Sequence, residues 1–169
     1  MAIYRQVYMT FWTDPKVADD FTPEDKYFYL YLITNPHTNI CGCYEVSIKQ
    51  MAYETGYNDD TVRRLLQRLD ETHDVIRYNA ETREVLILNW YKYNWSTSKD
   101  LLTSVTKVAD TIKDNYFKEY ITDKVEGHKT LIRPSTEGGG TSVTVTDTVT
   151  VTDSVKRRRK PQGCARYPK

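Results

Sequence analysis

At 169 residues, the chain suits one compact domain plus accessory segments. No apolar run approaches the roughly 20 residues needed to cross a bilayer, and the opening MAIYRQVYMTFW lacks the basic start and apolar stretch of a secretion signal, so a cytoplasmic protein without membrane contact is expected. The near-zero formal charge of +1 divides unevenly: residues 1–130 carry 16 Lys and Arg against 20 Asp and Glu, a net of −4, and residues 131–169 carry 8 against 3, a net of +5, so only a local patch or the tail offers the positive charge a nucleic acid requires.

The first predicted element is a helix in TPEDKYFYLYLITN. Thr22 suits its N-cap, Pro23 its first turn, and Glu24 and Asp25 the positive end of its dipole. Phe28, Tyr31 and Leu32 face inward, and Asn35 before Pro36 ends it, because the residue before a proline is pushed away from helical geometry. ICGCYEV, short, β-prone and interrupted by Gly42, reads as a single strand. Ser47 with Gln50 makes a capping box that starts a short helix with Ile48, Met51 and Ala52 inward, and Gly56 stops it. Asn58 caps the next helix, NDDTVRRLLQRLDETH, in which Val62, Leu65, Leu66 and Leu69 repeat at the spacing of one buried face while Arg63, Arg64, Gln67 and Arg68 occupy the other. VIRY and VLILNW then flank the polar NAETRE as a hairpin, to which ICGCYEV adds a third strand.

Two short helices about a glycine turn, followed at once by a hairpin, give the element order of a winged helix-turn-helix. The fold expected is therefore mainly α with a small antiparallel sheet, the winged helix occupying residues 1–95. Over residues 96–130, Leu101, Val105, Val108, Ile112 and Tyr116 predict one long amphipathic helix, whose stripe must pack on the domain, on a second copy or on another protein. Val105, Val108 and Ile112 are its candidate self-association contacts, and a homo-oligomer is expected. Residues 131–169 contain three consecutive glycines, a Thr-Val alternation and the basic run Lys156, Arg157, Arg158, Arg159 and Lys160, and read as a flexible, largely disordered low-complexity tail.

The order RQVYMTFWTDPKV, TPEDKYFYLYLITNP, GCYEVS, MAYETGYNDDTVRRLLQRL and VLILNWYKYNW resembles the N-terminal winged-helix domain of phage replisome organizers and related DnaD-like replication initiation proteins, over roughly residues 4–95. The most specific parts are the opening segment ending at Asp14, Gly42 with Tyr44, the turn from Glu54 to Tyr57, and NWYKYNW. The resemblance implies a part in starting phage or prophage replication, by binding DNA and recruiting a replicative helicase or helicase loader, together with self-association. It does not extend to a second helical domain of the DnaD type.

For DNA contact, the helix beginning near Asp59 would enter the major groove with Thr61, Arg63, Arg64, Gln67 and Arg68, and the wing would add Arg77 and Arg83. Lys156, Arg157, Arg158, Arg159 and Lys160 would neutralise phosphates without reading sequence. Asp59 and Asp60 oppose this reading, and an arginine-bearing helix face also serves as protein contact or solvated surface. Cys41 and Cys43, spaced C-x-C with only His37 and His73 elsewhere, read as buried thiols rather than zinc ligands. Trp90, Tyr91, Tyr93 and Trp95 suit core or interface packing better than base stacking. No GxxxxGK[ST], dinucleotide or HExxH pattern is present, so neither an enzyme nor a bound cofactor is expected. Two other readings stay open: a self-associating adaptor that docks a helicase loader without reading sequence, and a winged-helix transcriptional regulator.

Overall fold

In a computed structural model, residues 5–96 and 98–132 are described. The tail from residue 133, with Lys156, Arg157, Arg158, Arg159 and Lys160, lies outside the described residues.

The chain enters through a 3-10 turn, Met9–Trp12, and a π-helical turn, Lys16–Asp20. Helix α1, Pro23–Thr34, starts where expected, but the capping box belongs here: Thr22 Oγ1 accepts the Asp25 N–H while the Asp25 carboxylate accepts the Thr22 N–H. Asn35 closes the helix by donating its side-chain amide to the carbonyls of Tyr31 and Leu32 and to the Tyr44 hydroxyl. Strand β1, Cys43–Glu45, is shorter than ICGCYEV, because Gly42 turns at φ 74° just before it. Helix α2, Ile48–Thr55, is capped by Ser47, yet Gln50 turns its side chain to Glu54, so only half of the expected box forms. Gly56, at φ 78°, ends it in the left-handed conformation open to glycine. Helix α3, Asp59–Gln67, is capped by Asn58 and runs into a π-helical turn, Arg68–Thr72.

Strands β2, Ile76–Asn79, and β3, Glu84–Ile87, form the wing, with sheet order β1-β3-β2, both pairings antiparallel. Tyr44 and Tyr78 both lie opposite Val85. Alternation along β3 divides the interior into two layers. Val85 and Ile87 join Phe28, Leu32, Met51, Val62, Leu65, Leu66 and Leu69, the core of a winged helix-turn-helix. Leu86 joins Cys41 and Cys43 on the opposite face. Helix α4, Trp90–Asn94, begins where VLILNW was expected to continue as strand, after Asn89 turns at φ 58°.

The single amphipathic helix expected over residues 96–130 is instead a helical hairpin, α5, Lys99–Ala109, and α6, Asn115–Ile132. The break has a distant cause. Buried Glu84 of the wing accepts the backbone N–H groups of Lys113 (2.8 Å) and Asp114 (2.9 Å), donors that an unbroken helix would spend on its own carbonyls. Asp114 then accepts the Phe117 N–H and takes a hydrogen bond from Asn79. Packing also corrects the self-association assignment. Val105 and Ile112 are buried, with Ala109, Phe117, Ile121 and Val125, against the chain's own sheet, and half-buried Val108 packs on the same cluster, so this stripe is not a free face for a second copy. Among the described residues, no helix is long and apolar enough to cross a membrane.

Candidate nucleic-acid interface

The outward side of α3 begins with the cap that Asn58 places on the Thr61 N–H at 2.8 Å. One turn on, Arg64 Nη2 donates to Thr61 Oγ1 at 3.2 Å, which holds an exposed guanidinium along the helix. Gln67 donates to Glu71. The Arg63 guanidinium makes no hydrogen bond or ion pair among the described residues, and neither does that of Arg83 at the tip of the wing, where the backbone turns at φ 59° and its carbonyl accepts the Val46 N–H at 2.8 Å. These two arginines act on one group from two elements. Burial pushes the Tyr78 hydroxyl above its ordinary pKa, and the charges of Arg63 on α3 and Arg83 on the wing both oppose that shift.

Arg68 and Arg77, expected on this surface, are engaged elsewhere. Arg68 flanks the buried stripe and turns toward α1, pairing with Asp25 and donating to Thr22 at 2.9 Å. Burial alone would raise the Asp25 pKa, but the hydrogen bonds from Arg68 and Thr22 outweigh it and hold the carboxyl below its ordinary 3.8. His73 Nε2 lies 3.4 Å from the same carboxylate, with Phe21 against its ring. Arg68 is thus a staple between α1 and the end of α3. Arg77 pairs with Asp74, donates to the Asp70 carbonyl at 3.2 Å and approaches the Asp70 carboxylate at 3.4 Å. Burial opposes its charge, yet Asp74 and Asp70 prevail and raise its pKa. It anchors the wing root instead of facing outward.

The sequence reading missed Lys113. The loop between α5 and α6 places it 2.6 Å from Glu45, whose pKa is lowered by Lys113 first and by Arg83 as well. Lys113 therefore stands on the Arg83 side of the wing, a placement hidden while residues 96–130 read as one helix. The resulting surface combines Arg63, Arg64, Arg83 and Lys113 with the acids Asp59, Asp60, Glu45 and Glu71. Four cations meet four acids there, so the surface carries no net positive charge and has no means of broad electrostatic adhesion to a polyanion.

Cys41 and Cys43 are buried thiols on the second core, and burial pushes both pKa values up. His37 meets Glu54 and His73 meets Asp25, and neither contact involves the thiols. Trp90 and Trp95 both donate their indole N–H to the Ile40 carbonyl, at 3.0 and 2.8 Å, and pack as expected. Tyr93 departs from that pattern: it is 53% exposed and borders a groove of about 500 Å³ between the N-terminal arm and α4, lined also by Tyr8, Phe11, Tyr29, Ile33 and Trp90.

Comparison with known proteins returns no match to any family model, to any curated protein or to any solved structure.

Proposed function

We propose that this protein binds duplex DNA through α3 and the wing and acts in the cytoplasm to start phage-type DNA replication, recruiting a replicative helicase or its loader. The observation that supports the DNA reading is that the guanidinium groups of Arg63 on α3 and Arg83 on the wing make no hydrogen bond or ion pair among the described residues, while the charges of both act on Tyr78 of β2. With α3 in the major groove, Arg63 and Arg64 would reach base edges or phosphates and Arg83 the adjoining backbone. The replication role rests on the resemblance carried by residues 4–95, and strand opening would be the work of an ATP-driven partner. The test is titration of labelled duplexes tiled across the protein's own gene and its neighbours, against random duplex, over a series of salt concentrations. One duplex preferred by at least about a thousandfold supports specific DNA readout over the adaptor reading, since specific sites outcompete random DNA by about 10³ or more.

A second reading is favoured by the acids of α3. Asp59 and Asp60 share α3 with the arginines, Glu71 follows in the π-helical turn, and the part of the chain before residue 131 carries a net −4. A self-associating adaptor that docks a helicase loader would tolerate that charge, with contacts other than the covered stripe of α5. Binding that is weak, erased by salt and without preference among duplexes selects this reading.

A further inference from the structure

We propose that the groove between the N-terminal arm and α4 is the docking site of this chain's own segment 143–151, and that docking holds the basic run Lys156 to Lys160 beside the acids of the arm. The proposal stands whether or not α3 reads DNA.

The groove needs a cover. Val7, Tyr8 and Tyr93 line it, and Met9 and Trp12 belong to the turn that builds its wall; their exposures run from 37% to 88%. An apolar patch of this kind on a small soluble fold marks a contact surface. Its charged lining is mixed, with Lys16 and Lys92 set against Asp14 and Asp74 beside the aromatic rings.

The point where the chain leaves the described fold identifies the occupant. Near the end of α6, the His128 ring lies 5.6 Å from the rings of Tyr91 and Trp95. Tyr91 lies within α4 and Trp95 directly follows it, while Lys92, Tyr93 and Asn94 of the same short helix line the groove. His128 and the groove are therefore separated by about one helix diameter, 10–12 Å, and the four residues from His128 to the exit at Ile132 add about 6 Å of helix. Ten residues intervene between Ile132 and Val143, and they reach about 35 Å when extended. A tethered segment meets its site at an effective concentration near the millimolar range, so weak contacts suffice.

The segment has the matching chemistry. Val143, Val145, Val149 and Val151 alternate with Thr144, Thr146, Thr148 and Thr150, so an extended chain would turn its valines to the rings and its threonines to water. Asp147 interrupts the valine side, so it would have to sit by Lys16 or Lys92 and away from Asp14 and Asp74. Five residues past Val151 the basic run begins, within reach of exposed Asp19 and Asp20 on the turn that also carries Lys16. The opposite net charges of the two parts of the chain, −4 and +5, act in the same direction. Docking would withdraw five cations from any nucleic acid, and a partner that takes the groove would release them.

The test uses the full chain with the photo-crosslinking residue p-benzoylphenylalanine at position 93, an exposed site, and equal amounts of ¹⁵N-labelled and unlabelled protein. The expected result is a cross-link to residues 143–151 within one chain, its yield reduced severalfold by Val145→Asp with Val149→Asp while the melting temperature stays the same. Cross-links joining labelled to unlabelled chains would assign the groove to a second copy and overturn the proposal. A cross-linked product that never includes residues 143–151 would overturn it equally.

Discussion

Asp25 shows how a single side chain decides what its neighbours are available for. Its carboxylate is almost wholly buried and accepts from Arg68, from Thr22 and from the Thr22 backbone. Arg68→Ala leaves that charge with fewer partners and should cost about 2–3 kcal/mol, read as a lower urea midpoint, while DNA affinity of the folded protein changes little. The pH dependence follows from the lowered pKa of Asp25. A carboxyl depressed on folding contributes stability that is present above its unfolded value near 4 and is lost as pH falls through the folded value. The urea midpoint should therefore drop below about pH 4, and Asp25→Asn should flatten that drop. Gly42 makes a different demand. Its φ of 74° suits glycine, and a Cβ there would fall inside the Trp90 ring, so Gly42→Ala should cost 2 kcal/mol or more in thermal unfolding, roughly the sum of backbone strain and overpacking.

Among the elements, the helical hairpin depends on the wing. Removing the Glu84 carboxylate deprives two backbone donors of their acceptor, and Glu84→Ala should lower stability by about 2–4 kcal/mol, with faster amide exchange first in residues 113–120. Val105→Ala should cost about 2 kcal/mol of folding stability and leave the mass by light scattering unchanged, because Val105 packs on the protein's own sheet. The elements differ in how far the sequence reveals them. The start and stop of α1, the turn at Gly56 and the stripe of α3 were legible because their signals lie within a few residues of one another. The break between α5 and α6 was not, since the acceptor that enforces it is 29 and 30 residues from its donors. The side on which Arg68 sits escaped for the same reason: its partner Asp25 is 43 residues away. Arg63 and Arg83 could be named from pattern alone, whereas Lys113 entered the surface only through the hairpin's turn.

For the molecule as a whole, the sheet with both faces buried gives the wing a rigid backing. Helices α1, α2 and α3 cover one face, and α5 and α6 the other. A sheet packed on both faces holds Arg83 at a set distance from α3, as the proposed contact with groove and backbone would require. The surface shared by α3 and the wing holds only Arg63, Arg64, Arg83 and Lys113 as cations, so affinity for DNA through that surface should depend weakly on salt when compared with proteins that neutralise many phosphates. The most direct measurement is the salt dependence of binding to the preferred duplex for the wild type and for Arg63→Ala with Arg83→Ala. The account predicts that the double variant keeps its melting temperature, loses at least about tenfold in affinity, and has a log–log salt slope shallower by about 2, one for each lost phosphate contact. Unchanged affinity and slope in a folded double variant would contradict it.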